Sequence, residues 1–274
     1  MTSVETPLVA TFYTRTRLTG FELDMPADSP LTFNQAVRGI AEFIEVAIHT
    51  ILYIRQIYPA ELFVRRKKYN TPVFQSRHPA LNEYISGAIK AITEELVLGH
   101  VNKVVVVIKD KEEVPLERFI FALQCMIELE SYNKDTSVQE AMTSTALGQY
   151  FRSFMVKLNM AEAQLGQLEM CGTAPFAKIA KHVCYNNIVN IIDDLSFAIV
   201  LELQDDKAPA ASHGQDPPSW IPATTPHTTA GTHENAELHM IRAVDTGIIN
   251  ATVQESEAKL KRGQEDLKGK GRAS

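Results

Sequence analysis

Few residues in this chain stand at a spacing that could do chemistry. His182 and Cys184 lie two apart, as a base and a nucleophile might, but in a stretch with no clean period, where two ordinary structural residues are the simpler reading. Asp193-Asp194 precede a strand-like run and have the oxygens Mg²⁺ requires, yet an acidic pair at a strand start is usually a solvated turn. The phosphate-cradling GxxxxGK[ST], the dinucleotide GxGxxG, the GxSxG elbow and the HExxH metal helix are all missing. No catalytic residue, metal site or cofactor is assigned, and the chain reads as something other than an enzyme.

Two features suit binding better. Arg65-Arg66-Lys67-Lys68, with Tyr69 beside it, reads either as a nucleic-acid or nuclear-localisation patch or as an edge strand kept from aggregating by its charges; the second reading is preferred, because four cations make a small patch on an acidic chain. Trp220, the lone tryptophan, stands in Pro217-Pro218-Ser219-Trp220-Ile221-Pro222. A tryptophan in so polar a segment either anchors that segment on the domain or stacks on something brought to it.

The elements that must position these residues follow from period and punctuation. Thr32 caps a helix in which Phe33, Ala36, Val37, Ile40, Ile44, Ala47, Ile48 and Ile51 recur at helical spacing, widened by Phe43, Leu52 and Ile54 into the stripe of a central helix that Pro59 stops. Leu62 to Phe74 reads as a basic hairpin. Pro79 opens a second helix that Gly99 ends. Val101 to Ile108 and Arg118 to Cys125 read as adjacent antiparallel strands around a charged turn, and a third helix spans Ser137 to Leu168. The segment from Cys171 to Asn190 reads as an insertion, Leu195 to Leu203 as a strand, Asp205 to Glu237 as a linker by composition, and Leu238 to Val253 as a late strand.

The 274 residues, 45% hydrophobic, are enough for one substantial core with extra segments. A formal charge of −6 gives no field that would draw the molecule onto a phosphate backbone, so DNA would be reached through a partner and not by strong direct binding. Three cysteines without a CxxC pair give neither a disulfide framework nor a zinc site, which fits a reducing compartment. Residues 1–31 lack the apolar run of a signal peptide or a membrane span.

The blocks Glu42-Phe43-Ile44-Glu45-Val46-Ala47, Ile51-Leu52-Tyr53, Arg66-Lys67-Lys68-Tyr69-Asn70, His78-Pro79-Ala80-Leu81-Asn82-Glu83-Tyr84 and Lys103-Val104-Val105-Val106-Val107-Ile108 resemble the HORMA-domain accessory subunits of translesion DNA polymerase zeta, more than the spindle-checkpoint branch of the same fold. The resemblance implies an α/β (α+β) domain in which three helices back an antiparallel sheet and a C-terminal safety belt closes over a partner peptide. It implies a flexible arm over 1–31, a core over 32–204, the belt over 205–256 and a charged, disordered tail over 257–274. By match, Tyr84 and Trp220 hold a proline-containing peptide of the polymerase's catalytic subunit, and Arg152 serves a HORMA homo- or heterodimer. A second surface, for the translesion scaffold polymerase, falls at Leu238, Thr252 and Gln254; at the last two positions this chain departs from the family pattern. The implied setting is the nucleus and translesion synthesis, with a spindle-checkpoint adaptor or a direct nucleic-acid binder as rivals.

Overall fold

The computed structural model describes residues 8–10, 29–125, 134–138, 141–160, 195–204, 220–222, 236–246 and 249–258, with the single positions 163, 168, 207 and 209. In chain order the elements are β1 (Leu8–Ala10), α1 (Phe33–Ile54), β2 (Phe63–Lys68), β3 (Thr71–Ser76), α2 (Pro79–Leu98), β4 (Val101–Asp110), β5 (Pro115–Cys125), α3 (Ser144–Asn159), β6 (Leu195–Leu203), β7 (Trp220–Pro222), β8 (Ala236–Asp245) and β9 (Ile249–Ala258). Seven strands form one antiparallel sheet in the order β7-β1-β6-β4-β5-β9-β8, while β2 and β3 pair apart from it. The architecture is that implied by the resemblance: mixed helices and antiparallel sheet, with three α-helical elements among the described residues.

Helix α1 starts where its capping residues dictate. The Thr32 side chain accepts from the Gln35 N–H at 3.2 Å, and the Gln35 amide oxygen accepts from the Thr32 N–H at 2.8 Å, a reciprocal box that satisfies two otherwise orphaned donors. Its burial extends well round the helix, because α2, α3, β3 and the sheet all pack on it. Where α3 crosses, a Cβ at Gly39 would lie 3.1 Å from a Leu147 methyl, so the glycine permits the close approach. The helix ends at Ile54, before Pro59: Arg55 turns inward to a buried ion pair, Gln56 takes a left-handed φ of 53°, and the Ile57 N–H reaches back to the Leu52 carbonyl. The helix thus ends ahead of Pro59, as expected.

The hairpin turns on Tyr69 and Asn70, at φ 51° and 55°, the pair of left-handed residues that a two-residue loop needs to match strand twist. Helix α2 keeps both ends foreseen for it, with Pro79 in its first turn and Gly99 at φ 74° beyond its last. Helix α3 is shorter than the sequence expectation of Ser137 to Leu168. Ser137 bridges to Thr32 and the Val138 N–H bonds Leu31, so the chain there is committed to bracing the start of α1, and the helix, capped by Thr143, starts at Ser144, seven residues later than expected.

Strand β4 is buried on both faces, which explains its unbroken apolar run. Val104, Val106 and Ile108 join the main core beneath the helices; Val105 and Val107 form a second cluster with Ala198 and Val200 on the opposite face. In β5, Phe119, Phe121 and Leu123 alternate into the main core as expected.

Three boundaries differ from the sequence reading. The 1–31 segment contributes β1 to the sheet and seats Leu31 in the core at 1% exposure. The late strand is a hairpin, β8–β9, laid along β5, and it runs through Ala258 into the stretch assigned to the tail. The linker contributes the short β7. A composition count averages over such three-residue pieces, whose pairing depends on a distant edge. The insertion from Cys171 to Asn190, with His182 and Cys184, and the Asp193-Asp194 pair lie outside the described residues.

Candidate functional site

Strand β6 carries the features of most interest. On its inner face Phe197, Ile199, Leu201 and Leu203 follow one another into the core, and its outer neighbour is β1, paired as Leu8↔Leu201 and Val9↔Val200. Beyond β1 lies β7, paired as Leu8↔Pro222, Val9↔Ile221 and Ala10↔Trp220. A strand from the start of the chain is thus seated between β6 and the late strand β7.

Aromatic rings gather around this arrangement. Tyr84, in the second turn of α2, meets Phe197 edge-on at 5.7 Å, and Tyr58 meets the same ring from elsewhere at 6.3 Å. The Tyr84 phenol also bonds the Ile199 backbone, and burial, the largest influence, raises its pKa. Trp220 is 7% exposed and belongs to the core cluster on the helix side of the sheet. Register therefore sets Trp220 on the far side of β1 and Tyr84 beside β6, so that the two aromatics singled out in the sequence flank one strand position. Tyr58 and Phe197 were missed as site residues; their signals were a tyrosine directly before Pro59 and an aromatic within an alternating strand.

The other candidates lie elsewhere. Arg152 is exposed on α3, next to the buried Phe151, on a face it shares with the exposed Val156 and Met160. Leu238, Thr252 and Gln254 fall on the C-terminal hairpin. Gln254 pairs with Ile120 and Met240, Thr252 with Ala122 and Ala243, and Leu238 with Ser256, two positions along from Gln254. Thr252 and Gln254 thus oppose the β5 residues that alternate with the core positions Phe119, Phe121 and Leu123, and Leu238 shares their register parity. This site is remote in the sheet order from the Tyr84–Trp220 position.

The basic hairpin divides. Arg65, Arg66 and Lys67 are exposed, whereas Lys68 pairs with Glu42 of α1 at 2.6 Å. Tyr69, at the turn, packs against Phe43 and Phe151 at 6.5 and 5.2 Å. The strand β3 is pinned to α1 by backbone donors, Phe74 N–H to the Thr50 hydroxyl at 3.4 Å and Ser76 N–H to His49 Nδ1 at 3.5 Å. Most of the hairpin is therefore scaffold, with the three exposed cations Arg65, Arg66 and Lys67 along β2.

Among the described residues no group of three or more His, Cys, Asp or Glu side chains is placed to hold a metal ion, and no helix is long and apolar enough to cross a membrane.

Comparison with known proteins gives a consistent picture. The sequence pattern described as "HORMA domain" matches residues 37–170. Over 136 residues, 49% of this chain and 61% of the relative, the chain is 41% identical to the Mitotic spindle assembly checkpoint protein MAD2B of Rattus norvegicus. It is 36% identical over 136 residues, 49% of this chain and 63% of the relative, to the DNA polymerase zeta processivity subunit of Schizosaccharomyces pombe. The chain thus spans somewhat under two thirds of the length of these curated relatives. Among solved structures, C. elegans HTP-2 bound to HTP-3 closure motif 1 superposes with a TM-score of 0.57 at 10% identity, over 86% of this chain and 97% of that one, a likeness of fold.

Proposed function

We propose, from the premise that this chain is a HORMA-domain protein, that it is a non-catalytic adaptor which clamps an extended, proline-containing peptide of the catalytic subunit of translesion DNA polymerase zeta. The observation that carries this reading is the strand position between β6 and β7, flanked by Tyr84 and Trp220 and closed on its outer side by a segment late in the chain. A peptide entering there gains main-chain hydrogen bonds from a sheet and flat aromatic faces for proline rings, and a proline segment is already stiff, so it loses little entropy on binding. The relatives named as a polymerase zeta processivity subunit and as MAD2B, and a fold neighbour bound to a closure motif, support it.

Within this reading the protein works in the nucleus in response to DNA damage. The face bearing Leu238, Thr252 and Gln254 meets a scaffold polymerase of translesion synthesis, and Arg152 meets a second HORMA domain. A spindle-checkpoint adaptor would use the same strand position, and the sequence of the captured peptide separates the two.

Calorimetry with a proline-containing peptide from the polymerase catalytic subunit tests the clamp. Trp220→Ala and Tyr84→Ala each remove a central aromatic, which typically costs on the order of 2–4 kcal/mol, so Kd rises about thirty-fold or more. A thermal melt of each variant separates lost binding from lost fold, a necessary control since Trp220 is also core. Unchanged affinity in both folded variants removes the aromatic clamp.

A second reading has one observation in its favour: the exposed Arg65, Arg66 and Lys67. Direct nucleic-acid contact through them predicts DNA binding by the isolated protein that weakens steeply with salt. Three cations against a net charge of −6 favour the peptide clamp.

A further inference from the structure

Strand β1 has an unusual place for so short an element. It is three residues long, and both its neighbours are strands of the sheet. Strand β7 is joined to the sheet through β1 alone. On the other side, Val200 and Leu201 of β6, at 1% and 0% exposure, face it across the ladder. Backbone groups at such buried positions are costly to leave without partners, so this edge calls for a strand whatever its source. The strand that supplies it is Leu8-Val9-Ala10, three apolar residues that follow Pro7 in the sequence.

We infer that Leu8–Ala10 is a resident occupant, supplied by the chain itself, of the same strand position in which the proposed clamp takes its partner peptide, so that a partner binds by displacing it. This deepens the clamp reading and rests on it. Main-chain pairing with β6 is nearly indifferent to sequence, and the two contenders share a chemistry, an apolar stretch next to proline. Tethering gives the internal segment an effective concentration on the order of millimolar, so even weak intrinsic pairing would hold the position until a tighter peptide arrives. Three residues form few ladder bonds, which keeps the occupant displaceable.

The test uses the full chain carrying Val9→Pro. Val9 is paired on both sides, to Val200 and Ile221, so wherever its N–H points a proline there removes a ladder bond. Two labelled probes are used: the polymerase peptide of the preceding section, and a synthetic peptide of this chain's own residues 4–14. Val9→Pro is expected to bind the polymerase peptide at least tenfold more tightly than the wild type. It is also expected to bind the 4–14 peptide, which competes with the polymerase peptide and which the wild type binds at least tenfold more weakly. A thermal melt verifies that the variant is folded.

An unchanged or weaker affinity of the folded variant for the polymerase peptide, with no competition by the 4–14 peptide, overturns the inference and leaves the clamp standing. Binding of the 4–14 peptide by the variant, when neither protein binds the polymerase peptide, sustains the strand position and its occupant while removing the proposed partner. A wild type that sediments as a dimer and a variant that sediments as a monomer overturn occupancy within one chain, because the strand is then exchanged between copies.

Discussion

At the residue scale the sharpest consequence concerns His49. Its ring is 3% exposed, its Nδ1 accepts from Ser76, and its Nε2 is buried without a hydrogen-bond partner among the described residues. Burial lowers its pKa from 6.5 to about 4. Between those values the unfolded chain holds more proton than the folded one, so stability present above pH 6.5 is lost as pH falls toward 4 and levels off below it. The loss amounts to about 3 kcal/mol from this site. Glu45 acts in the opposite sense, since burial and Glu42 raise its pKa and stabilise the fold on acidification toward its unfolded value. The thermal midpoint of His49→Gln, followed from pH 7 to 4, should therefore fall less steeply than the wild type's. Parallel slopes would show that the histidine does not titrate as described.

Tyr69 gives a second test at this scale. Its ring packs on Phe43 and Phe151, but its hydroxyl is buried with no partner among the described residues, and burial, then Glu42 and Glu45, raises its pKa well above the usual value. Tyr69→Phe keeps the ring and removes the unsatisfied group, and should stabilise the protein by about 1 kcal/mol in denaturant titration. A destabilised variant would mean that the hydroxyl does have a partner.

At the scale of elements, the Arg55–Glu117 pair couples the end of α1 to β5. Both side chains are almost fully buried, and Arg55 Nε donates to Glu117 at 2.8 Å beside a second, shorter bond from its Nη2. Glu117→Ala leaves a buried guanidinium without its carboxylate and should cost about 3–5 kcal/mol in chemical unfolding. Replacing both partners by apolar residues should recover much of the loss, a reversal that a mere packing defect would not produce.

The segment proposed as the belt also divides at this scale. Its hairpin β8–β9 completes the core, with Thr246, Ile249 and Ala251 buried, while β7 takes its ladder pairing from β1 and lends Trp220 to the core. Deleting residues 205–274 should therefore lower the thermal midpoint by on the order of 10 °C as well as abolish peptide capture. Replacing Arg65, Arg66, Lys67 and Lys68 with serine should leave capture nearly unchanged. A hairpin variant that alone loses its partner would favour contact with nucleic acid.

At the scale of the whole molecule, the proposed sites are spread over separate faces. The strand position lies at one end of the sheet, the C-terminal hairpin at the other, and Arg152 on the outside of α3. In the proposed adaptor reading this spread would let several partners bind at once, with small effects on one another where they share no residues. In the proposed reading Arg152→Ala should accordingly reduce association with a second HORMA domain, read by monomeric versus dimeric behaviour in sedimentation, with peptide affinity unchanged. Loss of both together would place Arg152 in the clamp itself.

The long elements were legible in the sequence because their signals are local. A capping threonine, the 3.6-residue stripe of α1, Pro79 and Gly99 around α2, and the alternation of β5 and β6 each reflect what a residue's neighbours in the chain must bury or cap. So were Tyr84 and Trp220 as candidates, through resemblance. What the sequence left undetermined depends on contacts distant in the chain. The end of helix α1 is tied to β5 by the pairing of Arg55 with the distant Glu117, and α3 starts late because Ser137 and Val138 brace Leu31 and Thr32. Three residues near the N-terminus are a strand only because β6 and β7 lie on either side of them. Such short strands have little stability of their own, so their pairing is decided by the edge that tertiary structure offers, and with it the occupancy of the site.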